Sequence, residues 1–221
     1  MITAHIHRLV RNLTNRSYVS AGTYWAIRRL TGVQFHFVYA TYLNSSTSTQ
    51  VALPLEFFVL ESEADLKKLP KNIEIQLNEQ SGFSCRDLFE QNARIYLLMD
   101  GEKLACQLNI RQSEVVVDSP IDLILRFESG TAFLNYLYTR DAYRGHGLAG
   151  KLISLACEDL ARKGLHRCLA HIRATNHASL SSFRKAGWTT CGRIISTTSG
   201  RLIAAPGCEQ SGMQITQFKR V

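Results

Sequence analysis

The spacing of apolar residues along this chain switches between helical and extended periods, and the switches mark out its elements. Ile6, Leu9, Val10 and Leu13 recur at the i, i+3, i+4, i+7 spacing of one helix face. A second run, Tyr24 to Leu30, ends at Thr31-Gly32, a helix stop. Residues 1–32 therefore read as helical, and the aromatic-rich segment Phe35 to Leu43 as a strand. The polar run Asn44 to Gln50 reads as a loop. It divides the chain into a basic, largely helical N-terminal extension, 1–50, and a domain, 51–221.

From Glu56 onward strands and helices mix. Phe57 to Leu60 predicts a strand, Glu63 to Leu69 a short helix that Pro70 follows, and Cys85 to Ala93 another helix. Ile95 to Met99 and Leu104 to Ile110 flank Asp100-Gly101, a hairpin turn signal. Val115 to Val117, Ile121 to Phe127 and Phe133 to Thr139 are further strands. The clearest helix comes next: Leu148, Leu152, Leu155, Ala156 and Leu160 fall on one face, Lys151, Ser154, Glu158 and Arg162 on the other. Arg162-Lys163-Gly164 closes it with basic residues at the negative dipole end and a glycine beyond. Cys168 to Ile172 predicts a strand and Ala178 to Ala186 a helix ended by Gly187. The tail should supply two last strands, around Ile194 and over Met213 to Phe218.

Composition narrows the class. Hydrophobic residues make up 45% of the 221, enough for a globular domain of about 150 residues plus an extension. No apolar run reaches the roughly 18 residues of a membrane-spanning helix; the longest, Val51 to Leu60, is broken by Pro54 and Glu56. The six cysteines form no CxxC pair and no zinc-ligand spacing with histidine. Reduced thiols in a cytoplasmic protein are expected, with no metal, and the first residues lack a secretory signal pattern.

One segment carries chemistry. LYTRDAYRGHGLAGKLISLACEDL is a strand, a turn, a glycine-rich loop and an amphipathic helix. Amides at a helix start have no intrahelical partner, and the helix dipole adds positive charge there, so the segment is an anion site. Gly145 and Gly147 let phosphate oxygens approach the backbone, and Arg144 adds a fixed charge. The pattern is neither a dinucleotide fingerprint nor a P-loop, which needs G-K-[ST]. Arg144, Gly147 and Ala149 instead resemble motif A of the GNAT acetyltransferases, (Arg/Gln)-x-x-Gly-x-(Gly/Ala), preceded by Tyr143-Arg144-Gly145. Asn176, Ser179, Phe183, Lys185, Gly187 and Trp188 resemble the family's motif B, N-x-x-S-x-x-x-Y-x-K-x-G-F, in the right order along the chain.

The resemblance implies an α/β fold with a central mixed sheet, whose fourth and fifth strands splay apart, and an N-acyltransferase that uses acetyl-CoA or another acyl-CoA as co-substrate. Coenzyme A would lie in the splay. The backbone of Leu137, Tyr138 and Thr139 would pair with its pantetheine arm. The amides of Arg144, Gly145, His146, Gly147, Leu148, Ala149 and Gly150 would hold the pyrophosphate, and Asn176 would touch the pantetheine. Asn176 also suits the N-cap of the helix that follows it. The acceptor implied is the primary amine of a small molecule; the alternatives are an N-acyltransferase that takes its acyl group from an acyl carrier protein and a non-catalytic acyl-CoA sensor.

The family's motif-B tyrosine, commonly the acid that protonates the leaving thiolate, is Phe183 here, which donates nothing. Tyr138 and Tyr143 are phenolic neighbours read as structural. The strand AFLNYLYT offers no carboxylate as a base; Glu128, just before it, is a weak candidate working through water, and Asn135 could position a water. His146 reads as solvent-facing or phosphate-touching, and His166 and His171 as structural.

Charge adds a question about partners. The net charge is +8, and no acidic residue precedes Glu56, while Arg8, Arg11, Arg16, Arg28 and Arg29 all do. The first 32 residues therefore suit a helix packed on the domain, a docking face for an acidic acyl carrier protein, an anionic membrane surface, or a targeting peptide. Tyr24 and Trp25 point to packing or membrane contact. Nucleic acid is the least favoured partner, because no binding module accompanies the charge.

Overall fold

The computed structural model describes residues 21–43, 55–81, 84–112, 114–117 and 123–217. The apolar pattern at Ile6 to Leu13 and the loop at Asn44 to Gln50 lie outside them. In chain order the elements are α1 (Ala21–Thr31), β1 (Val33–Tyr42), β2 (Glu56–Leu60), α2 (Glu63–Leu66), α3 (Asn72–Ser81), α4 (Cys85–Glu90), β3 (Arg94–Asp100), β4 (Lys103–Gln112), β5 (Glu114–Val117) and β6 (Leu123–Phe127). Then follow β7 (Thr131–Thr139), α5 (Leu148–Arg162), β8 (Arg167–Arg173), α6 (His177–Lys185), β9 (Thr189–Thr197), β10 (Leu202–Ala204) and β11 (Met213–Gln217).

Eight strands form one sheet in the order β10-β9-β1-β8-β7-β4-β3-β2, and β11-β6-β5 form a second. Only β7 and β8 are parallel neighbours in the large sheet. The expected α/β architecture with a mixed sheet is present. The division at residue 50 is corrected. β1 lies between β8 and β9 and pairs antiparallel with both, so the sheet is built partly from the segment assigned to an extension. The physical reason is two-sided burial: Val33 through Ala40 are all buried, which an appended strand would not achieve. α1 joins the same body, because Tyr24 is buried in the main core.

Alternation along β1 shows how the layers stack. Phe35, Phe37 and Tyr39 face the cluster that holds Leu152, Ile153 and Ala156 of α5 and Leu180 and Phe183 of α6. Val38 and Ala40 face the other way, onto Phe133, Leu169 and the second sheet's Leu125, Phe127 and Met213. A third cluster seats Ile73 and Leu77 of α3 and Leu88 of α4 on β3. Burying each such aliphatic side chain contributes roughly 2 kcal/mol before conformational entropy is set against it. α5 and α6 thus cover one face of the large sheet, and α3, α4 and the small sheet cover parts of the other.

Candidate active site

The site begins where two strands part. β7 and β8 pair only from Thr131 opposite Arg167 to Leu134 opposite Ala170. On its other edge β7 pairs with β4 from Ala132 to Thr139, with a register shift: Tyr136 faces Asn109, but Leu134 faces Ile110. Asn135 is the extra residue, and a bulge there bends its strand and ends the pairing. From Asn135 to Thr139 no strand among the described residues pairs with the β8-facing edge of β7, as the splay expected of this fold requires. The opening holds a cavity of about 550 Å³ lined from both sheet faces. Ile172 and Phe183 come from the helix side, and His36 and His171 from the opposite side.

The glycine loop lies past the end of the freed strand. Gly145 and Gly147 have φ of 84° and 73°, left-handed values that disfavour a side chain, and a Cβ on either would meet nothing within 4 Å. Gly147 caps α5 with no side chain on its amides. The first helical bond runs from Lys151 N to Gly147 O at 3.1 Å, so the amides of Leu148, Ala149 and Gly150 precede the ladder. Open space over the two glycines, amides that precede the helix ladder and the dipole fit an incoming diphosphate. Arg144 stands beside them: its guanidinium meets Asp141 at 2.8 Å, donates from Nε to the Thr139 carbonyl at 3.2 Å, and lies 5.7 Å from the Tyr138 ring centroid. His146 is exposed, with Nδ1 3.4 Å from the Tyr143 carbonyl. Leu137, Tyr138 and Thr139 lie on the freed edge.

Other candidates separate cleanly. The Asn176 carboxamide accepts from Ser179 N at 3.2 Å as the α6 cap, and the residue also lines the cavity. Phe183 lies between Tyr39 and Trp188, with ring centroids at 6.3 and 4.8 Å. Tyr143 is held away, its hydroxyl donating to Asp100 at 2.8 Å. Glu128 is corrected as a candidate base. It sits before the opposite end of β7 with its carboxylate packed over Gly212, and roughly 13 Å of strand separates Thr131 from Asn135. His166 packs its ring over Gly130 at that same far end.

His171, expected to be structural, lines the cavity, and so does His36, which nothing in the sequence pattern singles out. His171 is the first β8 residue beyond the last paired rung, so it faces Asn135 across the opening. His36, on β1, lies diagonal to it on the same face, with ring centroids 5.5 Å apart. Nδ1 of each ring and Oδ1 of Asn135 are buried without a hydrogen bond. Burial holds the His171 imidazole down to about 4, with Arg173 adding to the effect. Burial, His171 and Arg173 hold His36 well below its ordinary value. Both rings are therefore neutral at pH 7. Burial also pushes the cavity-lining Tyr136 phenol up to about 12. All six cysteines are free, and burial pushes the Cys106 thiol up to about 11, which makes it a poor nucleophile. The period-2 pattern of β1 places His36 on one face, but only the sheet order brings it to His171.

Residues 65–188, more than half of the chain, match the family described as Acetyltransferase (GNAT) family. The chain belongs to the GNAT acetyltransferase family. Acyl transfer is therefore its reaction class. Among solved structures, a GNAT-family protein from Novosphingobium aromaticivorans is 16% identical with a TM-score of 0.50, covering 74% of this chain and 62% of its own. An aminoglycoside acetyltransferase from an uncultured soil metagenomic sample is 18% identical with a TM-score of 0.43, covering 60% of this chain and 86% of its own. A Bacillus subtilis acetyltransferase in complex with CoA is 15% identical with a TM-score of 0.42, covering 63% and 77%. The first of these shares the GNAT fold with this chain. No curated protein matches it.

Proposed function

We propose that this GNAT protein moves an acetyl or other acyl group from coenzyme A directly to the primary amine of a small molecule. The observation that carries the reading is the continuity of the freed β7 edge with the uncapped amides of Leu148 to Gly150. An extended pantetheine arm fits the first as an added strand, and a diphosphate fits the second. An amide of the bulged strand would then be available as a donor to the thioester oxyanion. On the far side of the opening an amine approaches without crossing the cofactor.

Calorimetry with acetyl-CoA on wild type and Gly147→Trp tests the binding step. The variant puts an indole among the loop amides and should weaken binding at least 100-fold; equal affinity would remove the reading. A second reading, an acyl-CoA sensor without turnover, draws on Phe183, which supplies no proton from the usual position. Free-thiol release across an amine panel separates the two. Tight binding with no release from any amine favours the sensor.

A further inference from the structure

Two histidines that each keep one buried ring nitrogen without a hydrogen bond are costly to hold in a sheet. A buried polar nitrogen without a hydrogen bond destabilises the fold, and Nδ1 of His36 and Nδ1 of His171 are both so placed, on rings whose centroids lie 5.5 Å apart beside one cavity. Their surroundings give no structural account of them. Phe133 stacks on His171 at 5.7 Å, which orients the ring and leaves its Nδ1 without a hydrogen bond. His36 is 5% exposed and has Ile194 as its β9 register partner, an apolar neighbour.

Position supplies the explanation. The parallel pairing of β7 and β8 stops at Leu134 and Ala170, so the next residues, Asn135 and His171, frame the throat of the opening. The helix-side face of that throat is lined by Asn176, Ser179 and Phe183. The opposite face is lined by His36, His171 and Arg173. A thioester held at the bulge would present its carbonyl carbon to an amine arriving from the histidine side.

We propose that His171, flanked by His36, is the group that takes the proton from the acceptor amine and passes it to the departing thiolate. This rests on the acyl-transfer reading. The amine nitrogen forms a bond to the carbonyl carbon, and His171 accepts the N–H proton as the adduct develops. The C–S bond then breaks, sulfur leaves with the electron pair, and the imidazolium returns the same proton to it. Amide and free thiol are produced with no other reactant. His36 is a positioning residue that fixes the orientation of the His171 ring. Neutral at pH 7, the His171 ring has a lone pair to accept the proton; its lowered proton affinity makes that the harder transfer, and once protonated it is a strong enough acid to protonate a thiolate of ordinary pKa near ~8.5. The absence of a phenol at Phe183 is then no gap, because one imidazole serves both transfers.

The amine panel on wild type comes first, and turnover of none defeats the acyl-transfer reading itself rather than this assignment. With an acceptor in hand, His171→Asn should lower kcat at least 100-fold, as expected for loss of a general base. Acetyl-CoA affinity by calorimetry should stay within about two-fold, because the residue lies across from the phosphate loop. His36→Asn should lower kcat about ten-fold with the same affinity. A His171→Asn protein that binds acetyl-CoA and keeps kcat within about three-fold of wild type overturns the proposal. If that variant does not fold, a crystal structure of wild type with the acceptor amine joined covalently to coenzyme A decides. The joined nitrogen should lie about 3 Å from a His171 ring nitrogen, or one water away. A nitrogen that approaches from the Phe183 side overturns the assignment.

Discussion

Phe183 is 2% exposed and touches both Tyr39 and Trp188, so its first duty is packing. Phe183→Ala should cost about 3–5 kcal/mol, read as a fall in the thermal midpoint. Phe183→Tyr should fold and leave kcat within about three-fold, since the proton route proposed above does not need a phenol there. A large rate gain in that variant would mean the thiolate does need one. The histidine pair makes a separate prediction about acid stability. The folded-state value of His171 is about 4 against an ordinary 6.5, and that of His36 is lowered too. Between those limits the unfolded chain binds more protons on these rings than the folded one, so stability falls as pH drops from about 6.5 toward 4. Each unit of separation is worth about 1.4 kcal/mol, so the midpoint should fall by several degrees from pH 7 to pH 5. Replacing both rings by Asn should flatten that slope, as measured by thermal unfolding across the pH series. At this scale the glycine loop was legible in the sequence because its chemistry is local. His36 was not, because its partner lies on β8 and nothing within β1 names it.

Elements show the same division. α5 is readable from periodicity alone, since Leu148, Leu152, Ala156 and Leu160 all end up buried. α3 is not, because Ile73, Ile75 and Leu77 also alternate like a strand, and only tertiary packing buries the first and third while leaving Ile75 exposed. The bulge at Asn135 is equally hidden: AFLNYLYT reads as an unbroken strand, and the shift exists only relative to β4. β1 is correctly read as a strand and wrongly placed outside the domain, since adjacency in a sheet is not written in a strand's own pattern. Its central position sets a clear expectation for truncation. Deleting residues 1–20 should leave a cooperative thermal transition, whereas deletion through Gln50 removes β1 and should yield insoluble protein. A soluble, cooperatively melting product of the longer deletion would mean that β8 and β9 can close on each other.

The whole molecule carries its charge unevenly, and so does the cavity. The described residues lining it include Arg173 and no carboxylate. A polycationic amine would meet repulsion there with nothing to offset it, while a carboxylate or phosphate on the acceptor would meet a partner. Amines bearing such an anionic group should show kcat/KM at least ten-fold above polyamines of similar size, with the gap narrowing in high salt. Arg173→Gln should raise KM for the preferred amine and leave acetyl-CoA affinity alone. The basic N-terminus suggests a test of the donor, for which the 1–20 deletion is the right tool because it spares β1. If an acidic carrier protein delivers the acyl group there, the deletion should slow that donor several-fold and flatten its salt dependence, with the acetyl-CoA rate unchanged. The threading of β1 also bears on how the protein is made. β1 ends at Tyr42, yet its two neighbours are not complete until Arg173 and Thr197. At about 5–20 residues per second, that strand waits on the order of ten seconds after synthesis with both edges unpaired and neither face covered. Nascent chains released before Thr197 should therefore aggregate unless a chaperone covers β1, and solubility in a series of C-terminal truncations should appear only once β9 has emerged.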